Sequence, residues 1–219
     1  MAKRRSTTET IQLDAVEAII GVRFRNRALL REALTHRSFL NETKDESLDH
    51  NERLEFLGDG VLEYVVRSHF CRSKPATREG EMTALKAALV SNKALAKLGE
   101  ELGLGPHIAM ARGQRWDFDS EGRSGEYIVG DAVEAIIGAI CMDRGIGTAE
   151  LFVLEFILPR LREIVETKSY IEPKTHFQEL SQEKWGITPH YETLLKEGPE
   201  YNRAFVVAAF LDRKQVSIG

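Results

Sequence analysis

The sequence has few of the residues that mark an exported or membrane-spanning protein. Only two of its 219 residues are cysteine, Cys71 and Cys141, and they form no CxxC pair. Neither a disulfide framework nor a zinc site is therefore expected, and a reducing cytoplasm is the setting that fits best. No apolar run approaches the roughly 20 residues that a membrane-spanning helix needs, so we expect no membrane partner.

An excess of basic charge is also missing. The chain has 34 acidic and 30 basic residues, which gives a formal net charge of −4. Taken alone, this balance argues against a nucleic-acid partner. Residues 1–9 begin with basic side chains, but no apolar segment follows them. We therefore expect a disordered basic tail there and not a secretory signal.

The pattern of apolar residues divides the chain into two parts. Over 10–165 they recur three and four apart, which predicts helices nearly throughout. A polar linker follows at 166–172, and then one short helix is predicted at 176–185. The expected strands, separated by turn residues, are 190–196, 203–211 and 215–219. The predicted fold is mainly α, with an all-helical domain followed by a small α+β domain at 173–219.

Residues 51–64, NERLEFLGDGVLEY, predict a helix with an acidic face. At about 100° per residue, four acids fall within roughly a quarter of the circumference, opposite leucines and valines. They are Glu52, Glu55, Asp59 and Glu63. An ordinary surface helix would explain this face. It does not explain the apolar Phe56 beside it, or Gly58 and Gly60, which suggest close packing because glycine costs about 0.5–1 kcal/mol inside a helix.

A second segment, YIVGDAVEAIIGAICMD at 127–143, carries two acids in an otherwise small or apolar helix. Asp131 and Glu134 lie three residues apart and so share a face. Unpaired carboxylates in a buried helix cost several kcal/mol or become protonated. Either a Lys or Arg from another helix neutralises them, or their face reaches solvent, or they join the first acidic face around a cation.

An all-oxygen set of ligands suits Mg²⁺ or Mn²⁺ and not zinc. Several carboxylates around such ions are the usual equipment for hydrolysis of a phosphodiester. A phosphohydrolase of the His-Asp type is a competing interpretation, because Asp49 and His50 are adjacent and His36 lies nearby. Isolated histidines near helix ends more often have a structural role.

These segments together resemble the bacterial ribonuclease III family, and the resemblance covers nearly the whole chain. NERLEFLGDGVL is similar to the family signature. The other similar helical blocks are ALTHRSFLNE, EGEMTALKAALVSN and GDAVEAIIGAICMD. PKTHFQELSQEKWGITPHYETL, followed by GPEYNRAFVV, resembles the start of the family's double-stranded RNA-binding domain.

The resemblance implies roles for individual acids. The metal ligands would be Glu55, Asp59, Asp131 and Glu134, of which Asp59 and Glu134 would be the catalytic pair. Glu52 and Glu79 would assist metal or RNA binding, and Glu63 would face only water. The family implies two Mg²⁺ ions per active site, with Mn²⁺ as a substitute, and no small organic cofactor. It also implies a homodimer in which Phe56 contacts the partner subunit.

The implied activity is endonucleolytic cleavage of double-stranded RNA, leaving 5′-phosphate and 3′-hydroxyl ends with two-nucleotide 3′ overhangs. Ribosomal, messenger and transfer RNA precursors are the expected substrates, in the cytoplasm. The RNA-contacting face of the small domain would be Thr175, Gln178, Glu179 and Gln182. Because the sequence reaches Gly219 before the family's basic second helix, we expect this domain to be incomplete, and to be either a truncated end or only marginally folded. A relative that binds RNA without cutting it, or a helical scaffold, are the competing functions.

Overall fold

A computed structural model describes residues 12–43, 45–73, 77–119, 123–171, 173–198 and 203–219. The predicted tail at 1–9 lies outside this range. The chain divides into two compact units, with the boundary between Tyr170 and Ile171. In the part of the chain that is described, no helix has the length and apolarity needed to cross a membrane.

The first unit is helical, in agreement with the sequence. Its helices are α1 (Leu13–Ile20), α2 (Arg27–Ala33), α3 (Arg37–Leu40), α4 (Glu52–Ser73), α5 (Glu79–Leu89), α6 (Asn92–Glu101), α7 (Arg112–Asp119), α8 (Arg123–Arg144), α9 (Ile146–Phe152) and α10 (Leu161–Thr167). A π-helical turn at Val153–Ile157 and 3₁₀ turns at Gly105–His107 and Leu158–Arg160 complete the unit.

Several of these helices begin at side-chain caps. Asn26 accepts a hydrogen bond from the Ala28 amide before α2, and Ser91 accepts one from the Ala94 amide before α6. The His36 ring accepts one from the Ser38 amide before α3. Such bonds satisfy amides that have no partner within the helix. His36 is thus a capping residue, as expected of an isolated histidine.

Helix α8 is the centre of the helical core. Between Ile128 and Ile140 every residue is buried except Asp131 and Glu134, which are half-buried. Helices α2, α4 and α6 pack around it and contribute the fully buried side chains Leu30, Leu62, Val66 and Leu95. Burial of each such side chain contributes about 1.5–3 kcal/mol. The apolar helix predicted over 127–143 is confirmed.

Two glycines allow α4 and α8 to cross with their backbones in contact. A Cβ atom at Gly58 would overlap the carbonyl of Glu134, and one at Gly138 would overlap the carbonyl of Leu54. The close packing predicted at Gly58 is confirmed. The same prediction for Gly60 is wrong, because Gly60 is exposed and a Cβ atom there would meet nothing within 4 Å.

The second unit consists of helix α11 (Pro173–Trp185) and strands β1 (His190–Glu197), β2 (Ala204–Leu211) and β3 (Lys214–Ile218). The strands form an antiparallel sheet in the order β1-β2-β3. Asp212, with φ of 54°, lies in the turn between β2 and β3. The predicted helix and three strands are confirmed, and no end differs from its predicted position by more than three residues.

The second unit buries little apolar surface. Within it Ala208 and Ala209 are buried hydrophobic residues, whereas Phe205, Leu194 and Ile218 are about half exposed. Buried and exposed residues do not alternate along β3, because every residue of this strand is exposed. The sheet therefore keeps apolar side chains in contact with water.

Candidate metal centre

The crossing of α4 and α8 brings three carboxylates together. Glu55 of α4 and Asp131 and Glu134 of α8 each present an oxygen, and these oxygens lie within 4.8 Å of one another. All three residues are half-buried. We call this group the acidic cluster. The packing at Gly58 explains it, since that glycine lies one turn after Glu55 and directly against Glu134.

In the described part of the chain, the acidic cluster has no compensating positive side chain. Among the described residues, no Lys, Arg or His forms an ion pair with any of its three carboxylates. Burial, and then the charges of Asp59, Glu55 and Asp131, raise the pKa of Glu134 from 4.5 to about 8. None of the residues that the structure describes supports the ion-pair interpretation of the buried acids. Without a cation, Glu134 carries a proton at neutral pH.

The other two carboxylates of the acidic cluster are shifted in the same direction. Burial, followed by the charges of Asp131, Glu52 and Asp59, raises the pKa of Glu55. Burial also raises the pKa of Asp131, and a hydrogen bond from Asn92 opposes that rise. The Asn92 Nδ2 atom donates to Asp131 Oδ1 at 2.7 Å. The acidic cluster is thus a concentration of partly desolvated negative charge.

Asp59 and the two auxiliary acids lie outside the acidic cluster. Asp59 is exposed on α4, one turn after Glu55, and its charge contributes to the raised pKa of Glu134. Glu52 is exposed and forms an ion pair with Arg37 at 3.3 Å. Glu79 is exposed in the first turn of α5.

Glu63, expected to face only water, has a structural role instead. Its Oε1 accepts a hydrogen bond from Lys86 Nζ at 2.6 Å, and its Oε2 pairs with Arg67 at 2.5 Å. The hydrogen bond from Lys86 is the main reason that the pKa of Glu63 is lowered. Since Lys86 belongs to α5, Glu63 ties α4 to α5. The prediction that Glu63 faces only water is wrong, because the sequence shows the acid but not its contact with Lys86 of α5.

The histidines do not support the His-Asp alternative. The acidic cluster contains no histidine. His50 Nδ1 lies 3.7 Å from Glu52 Oε2, and its Nε2 lies 4.0 Å from Asp49 Oδ1. Oxygen-only donors with unpaired negative charge fit Mg²⁺ or Mn²⁺, whose preferred ligands are carboxylates.

The remaining predicted site residues are exposed. Phe56 is 82% exposed, an unusual exposure for so large an apolar side chain. Thr175, Gln178, Glu179 and Gln182 are all exposed along α11. With Glu183 and Thr188 they line one shallow groove. The four residues implied by the resemblance thus share one face of α11.

Sequence reasoning missed Asn92, Gly130 and Gly138. Asn92 lies at the start of α6, and a lone asparagine after a helix cap carries no signal of contact with an acid 39 residues later. Gly138 did carry a signal, because it interrupts an apolar helix as Gly58 interrupts the acidic one. Two glycines in two long helices could have predicted the crossing.

Comparison with known proteins identifies the family. Residues 26–161 match the family described as Ribonuclease-III-like. The protein named Ribonuclease 3 of Geobacter metallireducens is 39% identical over 205 residues, which cover 93% of this chain and 82% of the relative. Ribonuclease 3 of Pelotomaculum thermopropionicum is 38% identical over 186 residues, covering 85% of this chain and 76% of the relative.

A solved structure is similar to the helical unit. The nuclease domain of ribonuclease III from Campylobacter jejuni is 37% identical, with a TM-score of 0.60. The match covers 67% of this chain and 96% of that domain. With the acidic cluster at the crossing of α4 and α8, these similarities show that the chain belongs to the ribonuclease III family and is an endoribonuclease.

Proposed function

We propose that this endoribonuclease cleaves double-stranded RNA in a reaction that depends on divalent cations, preferably Mg²⁺. The observation that carries the proposal is the acidic cluster, whose three oxygens converge within 4.8 Å with no cationic partner among the residues that the structure describes. Membership in the ribonuclease III family supports endonucleolytic cleavage of double-stranded RNA. The acidic cluster supports dependence on a divalent cation, because no Lys, Arg or His among the described residues pairs with its carboxylates.

Glu55, Asp131 and Glu134 would hold the ion, and Asp59, on the exposed side of α4, would complete the set of ligands. Two Mg²⁺ ions per active site, or Mn²⁺ in their place, are the proposed cofactors, and no organic cofactor is required. The chemistry supplied by such ions is activation of water and stabilisation of the departing oxygen. Glu52 and Glu79 would assist at the edge of the site.

The protein's own contribution is to concentrate and orient negative charge. Glu134 must lose its proton for its carboxylate to act as a ligand, and its pKa of about 8 makes this loss dependent on cation binding near neutral pH. Asp59 and Glu134 form the proposed catalytic pair. Their mutual repulsion contributes to that pKa, and a cation held by this site would reduce this repulsion.

The proposed products carry 5′-phosphate and 3′-hydroxyl ends with two-nucleotide 3′ overhangs. Paired cuts of this kind need two active sites, and so we propose a homodimer. The exposed Phe56 is the proposed contact with the partner subunit, because an apolar side chain that is 82% exposed gains from burial. The related Campylobacter jejuni domain has a region involved in dimer formation.

The exposed face of α11 is the proposed RNA-binding surface. Thr175, Gln178, Glu179 and Gln182 line one groove and can hydrogen-bond the 2′-hydroxyl groups that distinguish RNA from DNA. We expect Gln178→Ala combined with Gln182→Ala to weaken binding of duplex RNA without changing cation binding. The proposed substrates are ribosomal, messenger and transfer RNA precursors in the cytoplasm.

The proposal is tested by incubating the full chain with a long perfect RNA duplex and with a single strand of the same sequence. We expect cleavage of the duplex in Mg²⁺ and no cleavage in EDTA. Glu134→Ala should abolish cleavage in Mg²⁺. Mapping of the fragment ends should give the 5′-phosphate, the 3′-hydroxyl and the staggered cuts.

The matched control is Glu155→Gln, which changes an exposed acid of the same unit outside the acidic cluster. It should cleave like the unmodified protein. Cleavage that persists in EDTA or in Glu134→Ala would contradict the proposed mechanism. Binding of the duplex without cleavage in Mg²⁺ would instead favour an RNA-binding protein that does not cut.

A further inference from the structure

Asn92 occupies a special position beside the acidic cluster. Among the hydrogen bonds of the described residues, only the one from Asn92 reaches a side-chain carboxylate of the acidic cluster. Its Nδ2 atom lies 2.7 Å from Asp131 Oδ1 and 3.4 Å from the carbonyl oxygen of Tyr127. Both acceptors belong to α8 and are one turn apart. The amide group therefore spans one turn of the helix that carries the acidic cluster.

The backbone of Asn92 belongs to a capped helix start. Asn92 is the first residue of α6, and the preceding Ser91 accepts a hydrogen bond from the Ala94 amide at 3.3 Å. A capped helix start restricts the directions in which the side chain can point. Since an amide nitrogen has two hydrogens, one group can serve both acceptors on α8.

Gly130 provides the space that the Asn92 amide occupies. A Cβ atom at position 130 would lie 2.7 Å from the Cγ, Nδ2 and Oδ1 atoms of Asn92. Those three atoms are the nearest neighbours of that position. Any larger residue at position 130 would push the Asn92 amide away from Asp131, which is the next residue of α8. The side chains allowed at positions 92 and 130 therefore depend on each other.

The chemistry of the amide suits a carboxylate that must bind a cation. A lysine or arginine at position 92 would orient Asp131 but would also neutralise it and compete with a metal ion. A neutral donor orients the carboxylate and leaves its charge available. Partners of this kind, which hold a ligand without touching the ion, typically change metal affinity 10- to 100-fold.

We propose that Asn92 is a positioning residue, which keeps the Asp131 carboxylate turned toward Glu55 and Glu134 for cation binding, in a space left by Gly130. This inference rests on the proposed function of the acidic cluster as a metal site.

The test measures Mn²⁺ binding to the full chain without RNA, by electron paramagnetic resonance of the free ion. Asn92→Ala should weaken binding by roughly 10- to 100-fold. Gly130→Ala should weaken it similarly, because the added methyl group displaces the amide. The double variant should bind no more weakly than Asn92→Ala, since alanine at 92 leaves room for the methyl group. Lys93→Ala, the exposed neighbour in α6, is the control and should bind normally.

A second readout separates positioning from folding. At saturating duplex RNA, a raised Mn²⁺ concentration should restore kcat of Asn92→Ala, and KM for RNA should not change. Circular dichroism in EDTA shows whether each variant is folded. If Asn92→Ala is unfolded, the Mn²⁺ affinity of Gly130→Ala tests the inference in its place. Additive losses in the double variant, or Mn²⁺ affinity of a folded Asn92→Ala within twofold of normal, would overturn the inference. Absence of Mn²⁺ binding to the unmodified protein would instead overturn the proposed function.

Discussion

Two of the acids of helix α4, Glu55 and Glu63, lie two turns apart and have opposite surroundings. Glu55 faces Asp131 and Glu134 of α8, where no cation is present among the described side chains. Glu63 faces Lys86 of α5 and Arg67 of its own helix. The pKa of Glu55 is accordingly raised, mainly by burial, and that of Glu63 is lowered, mainly by its hydrogen bond from Lys86.

This difference separates a structural acid from a functional one. A protein gains stability by pairing a partly buried carboxylate, as it does at Glu63. Leaving three carboxylates unpaired costs stability, and such a cost is typical of sites whose charge is reserved for a ligand. Both acids are glutamates of α4, and what differs is the set of side chains around each of them.

The largest expected effect comes from separating α4 and α8. Gly58→Ala places a methyl group against the backbone of Glu134, which cannot move away without shifting α8. We expect a loss of about 3 kcal/mol in the free energy of unfolding and loss of cleavage. Denaturant unfolding and a duplex-cleavage assay measure both.

Gly60→Ala is the matched control on the same helix. Position 60 is open to solvent, so alanine there should stabilise the protein by up to about 1 kcal/mol through helix propensity. Equal effects at positions 58 and 60 would show that the backbone contact with α8 does not hold the acidic cluster together.

The second prediction concerns stability against pH in EDTA. Because the pKa of Glu134 is raised to about 8 in the folded protein, the folded state retains a proton that the unfolded state has lost above about 4.5. The free energy of unfolding should therefore fall as pH rises from about 5 to 8, by roughly 2–4 kcal/mol. Glu134→Gln should reduce this slope and be the more stable protein at pH 8.

Glu63 should contribute with the opposite sign. Since its pKa is lowered, its stabilisation is present above the ordinary value of 4.5 and is lost as pH falls through the folded pKa. Glu63→Gln should thus leave the slope between pH 5 and 8 unchanged. Urea unfolding of the three proteins at several pH values makes the comparison. An unchanged slope in Glu134→Gln would show that Glu134 is not the titrating group.

The third prediction is that added Mg²⁺ or Mn²⁺ stabilises the protein. An ion at 100 times its dissociation constant contributes about 2.7 kcal/mol, or about 5–10 °C in Tm for a chain of this size. The gain should be greater at pH 8 than at pH 6, because binding must displace the Glu134 proton at the lower pH. Thermal melts of the unmodified protein and of Glu134→Gln measure it. An equal gain in both proteins would place the ion elsewhere.

The smallest expected effect is at Glu63. Glu63→Gln replaces a charge-assisted bond between α4 and α5 and should cost about 1–2 kcal/mol of unfolding free energy. Lys86→Met should cost a similar amount, and the double variant less than the sum. Additive costs in this cycle would show that the two side chains do not interact energetically. Cleavage activity should survive Glu63→Gln.

The sequence predicted the elements of the fold because each has a local cause. Helical periodicity, β-branched strands and the turn at Asp212 can each be recognised within a short segment of the sequence. It also predicted that Asp131 and Glu134 needed a special partner, because an apolar helix with two acids is costly.

What the sequence could not supply depends on contacts between distant segments. The role of Glu63 is set by Lys86, 23 residues away, and that of Asn92 by Asp131, 39 residues away. Gly58 and Gly60 look alike in sequence, yet only the rotation of α4 decides which one meets α8. Such distinctions require the packing of helices, which periodicity does not specify.

The most direct measurement is anomalous X-ray scattering from crystals of the protein grown with Mn²⁺. We expect a peak bounded by the carboxylates of Glu55, Asp131 and Glu134, and no peak there in Glu134→Gln crystals grown in the same way. A fully formed acidic cluster without a peak at saturating Mn²⁺, or a peak only at other residues, would show that these carboxylates do not bind the cation.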